Sequence, residues 1–134
     1  MLVPGSTTLL LVEDETHLRD ALRQLLERAG YTVLAAANGG EALRLGAERP
    51  EIAVMVTDIR LPDMSGRRLA GRVTSERGEA ARALGVVYVS GNAHETADDG
   101  ALLPNERFLA KPFEFDDLLA CVAQVQPPGT GPAH

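Results

Sequence analysis

Cysteine is almost missing from this chain. Cys121 is its one example in 134 residues, so there can be no internal disulfide and no cysteine-based zinc site. Histidine is scarce and scattered: His17, His94 and His134 lie too far apart for any paired metal-ligand spacing. Long apolar runs are absent as well. The longest candidate, Leu9-Leu10-Leu11-Val12, is stopped by Glu13, well short of a membrane span. Met1-Leu2-Val3-Pro4-Gly5 lacks the basic start and apolar stretch of a signal peptide. Positive charge is in deficit, with 13 Lys+Arg against 19 Asp+Glu and a net charge of −6. That balance argues against nucleic acid as a partner, which calls for a basic stripe. Lysine is rarest of the bases, since Lys111 stands alone among arginines. These absences predict a soluble, cytoplasmic domain with no membrane association.

What remains is ordinary globular material, 45% hydrophobic and 24% charged. A chain of this length makes one domain and should bury roughly two-thirds of its unfolded surface. Residues 8–125 read as that domain, with 1–7 and 126–134 as flexible ends or linker; Pro127-Pro128-Gly129-Thr130-Gly131-Pro132 carries the composition of one. Within the domain, short apolar runs alternate with amphipathic stretches. Strands are predicted at Leu9–Val12, Thr32–Ala36, Ile52–Thr57, Gly85–Val89 and Arg107–Ala110. The Ile52–Thr57 run is nearly all apolar, as suits a central strand buried on both faces. Helices are predicted over Thr16–Ala29 (inward Leu18, Leu22, Leu25 and Ala29, stopped by Gly30), over Asn38–Arg49, from Ser65 or Gly66 (Leu69, Ala70, Val73), and over Glu114–Val125 (Leu118, Leu119, Val122, Val125). The alternation predicts an α/β fold, a parallel sheet covered on both faces. Cys121 is expected to be a small buried residue of the last helix, His17 to face solvent, and Arg67 and Arg68 to form a solvated helix start.

In such sheets ligands sit beyond the carboxyl ends of the strands. The first strand ends in Glu13-Asp14-Glu15, the third in Asp58, the fourth in Ser90-Gly91 and the fifth in Lys111-Pro112. Alone, the acidic triplet would pass for a helix start, where acids complement the dipole. Asp58 alone could cap a helix, although Ser65 is better placed. Together, acids, a hydroxyl and an amine converge on one sheet edge. Clustered carboxylates repel, and a hard divalent cation such as Mg²⁺ resolves the repulsion. A carboxylate at the centre of such a site can accept a phosphoryl group as an acyl phosphate. An ammonium and a hydroxyl can then share the added charge.

These motifs, with Thr57-Asp58-Ile59-Arg60-Leu61-Pro62-Asp63-Met64-Ser65-Gly66 and Lys111-Pro112-Phe113, resemble the receiver domain of two-component response regulators. The resemblance spans Thr8 to Val125. It implies a flavodoxin-like, doubly wound (βα)5 three-layer sandwich with strand order 2-1-3-4-5. It implies Asp58 as phospho-acceptor from a histidine kinase or histidine phosphotransfer protein. It implies Mg²⁺ held by Asp14, Asp58 and the Arg60 main-chain carbonyl, with Glu13 assisting through water. Ser90 and Lys111 would contact the phosphoryl group, and Ser90 and Phe108 would form the switch that alters a partner-binding face. Lys111-Pro112 is expected to be cis, X-Pro being the common setting for that bond.

Met-Ser-Gly after the acceptor loop and Phe-Leu-Ala-Lys-Pro-Phe at the fifth strand resemble receivers attached to hybrid histidine kinases more than those of DNA-binding regulators. Arg60 occupies a position that varies in the family. Residues 92–106 are short of helix-period apolar residues, a departure from the family's fourth helix. The resemblance implies a monomer or weak dimer, and catalysis limited to its own phosphorylation and dephosphorylation. The competing reading is a docking module that works without phosphorylation. A hydrolase using an aspartyl phosphate would need a substrate pocket and cap that these short loops do not offer.

Overall fold

The computed structural model describes residues 7–78, 84–91 and 102–126. His94, His134, Pro127–Pro132 and most of the 92–106 segment lie outside them; Leu102–Asn105, at its end, is not helical. Five strands form one parallel sheet: β1 (Thr8–Val12), β2 (Thr32–Ala36), β3 (Ile52–Asp58), β4 (Gly85–Ser90) and β5 (Glu106–Ala110). Their order is β2-β1-β3-β4-β5, as the resemblance implies. Four helices are present among the described residues: α1 (Thr16–Arg28), α2 (Gly39–Glu48), α3 (Gly66–Arg77) and α4 (Phe115–Val125).

The strands are apolar because they are sandwiched. Successive side chains point to opposite faces, and the core divides accordingly. Leu10, Val12, Met55, Val86 and Tyr88 pack with Ala42 of α2 and Leu69, Ala70 and Val73 of α3. Leu9, Leu11, Val54, Val56, Val87 and Val89 pack with Leu22 and Leu26 of α1 and Leu118, Val122 and Val125 of α4. β3 is buried at every position. One extra residue in it, Ala53, interrupts the pairing with β1: Thr8 faces Ile52, but Leu9 faces Val54. From that bulge onward the register runs without a break to Val12↔Thr57. α2 and α3 approach closely at Gly46, where a Cβ would lie 2.9 Å from Val73.

α1 ends as its sequence suggests, with Gly30 in the left-handed region at φ 107°. Its buried stripe is phased differently from the expectation. Leu22 and Leu26 are buried, Leu18 is half-buried, Leu25 is exposed at 36%, and Ala29 is exposed. From Leu22, both Leu25 at i+3 and Leu26 at i+4 satisfy helical spacing, and the sheet takes Leu26. Cys121 is half-buried rather than buried. The first and last of the described residues are joined, since Thr7 is buried and its Oγ1 accepts a hydrogen bond from Gln126 Nε2 at 3.1 Å.

The phasing of α1 can be checked by urea unfolding. Leu26→Ala is expected to cost about 3 kcal/mol, the range for a fully buried leucine, and Leu25→Ala less than about 1 kcal/mol. Equal costs would mean that the stripe had been misplaced.

Candidate functional site

The strand ends set the site. Register places Thr57 beside Val12 and Asp58 beside Val89. Glu13, one residue past β1, therefore comes level with Asp58 at the C-terminal end of β3. Ile59 N–H donates to the Val89 carbonyl at 3.0 Å, and Lys111 N–H donates to the Ser90 carbonyl at 2.8 Å. These bonds carry the sheet's parallel pairing one residue beyond the strands and fix the residues that matter.

Glu13, Asp14 and Asp58 bring one carboxylate oxygen each to within 4.8 Å of one another. Glu13 and Asp58 are buried, at 4% and 8% exposure, and Asp14 is exposed. Lys111 Nζ reaches into the cluster, 3.1 Å from Asp58 Oδ1 and 3.5 Å from Glu13 Oε1. The structure thus unites four of the expected residues although nearly a hundred positions separate Glu13 from Lys111. Ser90 is buried at the end of the neighbouring strand. Phe108 is half-buried, three residues before Lys111 and paired with Tyr88 across β4–β5, against the core under α2 and α3. It does not join the cluster. Arg60 lies just past β3, where it bridges to Ser65. The Lys111–Pro112 peptide is cis.

Local chemistry explains the arrangement of the acids. Glu15, the last of the acidic triplet, faces away from the cluster and caps α1, accepting from Leu18 N–H at 2.7 Å and His17 N–H at 3.2 Å. Glu13 turns inward, where its Oε2 accepts the Glu15 N–H at 3.0 Å. Its main-chain carbonyl takes Arg19 Nη1 at 2.9 Å. Gly66 opens α3 against the back of Asp58, where any Cβ would collide with the Asp58 carbonyl oxygen. Ser65 caps α3 as expected, through Arg68 N–H at 3.0 Å.

Burial pushes the Glu13 carboxyl from its ordinary 4.5 up to about 7, helped by the neighbouring Asp58 and opposed by the Glu15 N–H and by Lys111. For Lys111, burial works against the ammonium, but Asp58 and then Glu13 outweigh it and hold the proton above the usual lysine range. The donor set is three carboxylates, all oxygen. It fits a hard divalent cation such as Mg²⁺, and it lacks the nitrogen or sulfur donors that would favour zinc.

Three features were not read from the sequence. Asp63 reaches from the loop after β3 to the start of α2, accepting Gly39 N–H at 2.8 Å and Gly40 N–H at 2.9 Å; its place in a Pro-Asp turn was the available signal. Arg67 is not a solvated residue of the helix start, because its guanidinium lies 5.3 Å from the Tyr88 ring centroid and 4.0 Å from Glu106. Tyr88, buried, donates its hydroxyl to Glu106 Oε2 at 3.0 Å. Arg68 is exposed, as expected.

The family model described as "Response regulator receiver domain" matches residues 9–123. The response regulator receiver protein CpdR of Brucella abortus is 34% identical over 112 residues, covering 83% of this chain and 89% of its own length. The chain spans 48% of the transcriptional regulatory protein KdpE of Mycobacterium tuberculosis, at 34% identity over 85% of this chain. It spans 13% of the sensor kinase CckA of Brucella abortus, again at 34% identity. Among solved structures, the receiver domain of the hybrid histidine kinase CckA aligns over 89% of this chain and 99% of its own, at TM-score 0.70 and 31% identity. The response regulator TrrA of Thermotoga maritima, solved with Mg²⁺ and BeF, aligns over 89% and 98% at TM-score 0.75 and 25% identity.

The Glu13 shift has a pH consequence. Its folded-state value lies above the ordinary one, so the folded protein keeps a proton that the unfolded chain releases between about pH 4.5 and 7. Stability from this group is complete below that window and is lost as pH rises through it. In the absence of divalent cations, melting temperature is expected to fall from pH 5 to 7.5, and Glu13→Gln to flatten that fall in calorimetric scans. An identical slope in the variant would assign it to another group.

Proposed function

This chain belongs to the response regulator receiver domain family, a module of two-component systems, and we propose that Asp58 accepts a phosphoryl group from a partner's phosphohistidine. The observation that carries this reading is Lys111 Nζ at 3.1 Å from Asp58 Oδ1, inside a cluster of three carboxylates. An Asp58 carboxylate oxygen attacks phosphorus and forms the O–P bond of an acyl phosphate. The N–P bond of the donor breaks, and its electron pair returns to the imidazole nitrogen. Lys111, held charged by the carboxylates, meets the negative charge that builds on the phosphoryl oxygens. Ser90, buried at the adjacent strand end, adds a hydroxyl donor to the same group; as Ser90 shifts toward the phosphoryl group, Phe108 turns inward and alters the partner-binding face.

Receiver domains bind Mg²⁺ at an acidic site. Here Asp14, Asp58 and the Arg60 main-chain carbonyl would hold it directly and Glu13 through water. When bound, the ion neutralises the carboxylates' repulsion and part of the transferred charge. The chain turns over no separate substrate; its catalysis is confined to gaining and losing its own phosphoryl group.

The donor approaches over α1. A groove of about 490 Å³ runs between Leu18, Leu22 and Leu25 of α1 and Phe113 and Phe115 beyond β5, and Lys111 shares its lining. An apolar helix face of a histidine kinase or phosphotransfer protein fits such a groove and delivers its histidine beside Asp58. The exposure of Leu25 then has a purpose that core packing does not supply. The likeness to the CckA receiver supports a hybrid-kinase type of receiver, working in the cytoplasm.

Incubation with Mg²⁺ and acetyl phosphate should add one phosphate to the intact mass. The adduct should vanish in Asp58→Asn and with a chelator, and form on the order of a hundredfold more slowly in Lys111→Ala. A full adduct on Asp58→Asn would overturn the assignment. Leu25→Asp should slow transfer from a phosphorylated protein donor by about tenfold, while leaving the acetyl phosphate reaction unchanged.

A further inference from the structure

The loop between Asp58 and α3 is pinned at both ends. At its base, Gly66 N–H donates to the Ile59 carbonyl at 2.6 Å, and Arg60 bridges to Ser65. At its tip, Leu61 N–H donates to the Met64 carbonyl at 3.1 Å, across Pro62 and Asp63. These bonds run within the loop and do not tie its tip to another element.

Asp63 holds it. Each of its two oxygens accepts one N–H from the first two residues of α2, Gly39 and Gly40, which lie 24 and 23 positions earlier in the chain. These paired bonds keep the Asp63 carboxyl below the usual range. The neighbouring Met64 packs on the same spot, so closely that a Cβ on Gly39 would sit 2.6 Å from its Cγ. α2 has a separate cap of its own. Asn38 Oδ1 accepts the Glu41 N–H at 2.8 Å, and the Glu41 carboxylate returns to Ala37 N–H at 2.7 Å. Asn38 answers only the Glu41 N–H, and the first two donors of the helix are answered by Asp63, so this one carboxylate both completes the start of α2 and ties the loop tip to it.

We propose that Asp63 is a positioning residue, which clamps the acceptor loop to α2 and so steadies the Arg60 main-chain carbonyl for Mg²⁺ beside the sheet-held Asp58. The inference rests on the acceptor reading given above. It assigns α2 a part in the site although α2 contributes no residue to the carboxylate cluster.

The test compares Asp63→Ala and Asp63→Asn with Asn38→Ala, which weakens the start of α2 without releasing the loop. Mg²⁺ affinity is measured by calorimetry, alongside thermal unfolding without metal and adduct formation from acetyl phosphate. Asp63→Ala is expected to weaken Mg²⁺ binding by roughly tenfold, the scale on which outer supports of a metal site act. Asp63→Asn retains one acceptor oxygen and should fall between Asp63→Ala and the parent, with little disturbance of folding. Asn38→Ala should lower the melting temperature and leave Mg²⁺ affinity unchanged. Parent-like affinity in both Asp63 variants would overturn the proposal, as would equal losses in Asp63→Ala and Asn38→Ala. Failure of the acceptor reading shows separately, as a parent protein that binds Mg²⁺ but forms no adduct.

Discussion

Like charge brought together at the sheet edge is the constraint that organises this protein. Glu13 and Asp58 present oxygens within 4.8 Å of each other, largely out of water. At an effective dielectric of about 20, two unit charges at that separation repel by on the order of 3 kcal/mol. The fold answers in three ways. Lys111 is drawn in from beyond β5, Glu13 retains its proton to higher pH than an ordinary carboxyl, and the three carboxylates lie close enough together to share one divalent cation. A site in which opposed charges are so closely balanced responds strongly to any change in local charge.

That pressure is sustained because the sheet beneath is rigid. β3 is buried along its whole length and paired on both sides, so Asp58 is placed by backbone bonds rather than by its own side-chain contacts. The extra residue at Ala53 matters to this placement. It uncouples the start of β3 from β1 and leaves the pairing beyond it unbroken up to the site. Irregularity is confined to the end of the strand away from the chemistry.

Much of this was legible in the sequence. Apolar runs marked all five strands, and the polar residues at the ends of β1, β3, β4 and β5 come together at one side of the sheet, because burial leaves polar groups to the points where apolar patterning stops. The parts that were not legible share a physical reason. Leu25 and Leu26 both satisfy helical spacing, and only the packed sheet chooses between them. Glu15 stands in an acidic triplet whose members separate only when one of them must cap α1. Arg67 and Asp63 look like surface charges until the fold brings Tyr88 beneath one and the start of α2 against the other. Local pattern records periodicity well, but it does not record which distant backbone donors or aromatic faces a charged group will meet.

Lys111 offers a last consequence. It carries the chain's one side-chain amine, so reagents or modifying enzymes that acylate lysine have a single side chain to act on, and it lies in the site. An acyl group there would erase the cation beside Asp58 while leaving the carboxylates in place. An amine must shed its proton before it reacts, and Asp58 and Glu13 hold that proton on. The reactivity of this one nitrogen is therefore a gauge of the charge around it, supplied by the chain's own composition.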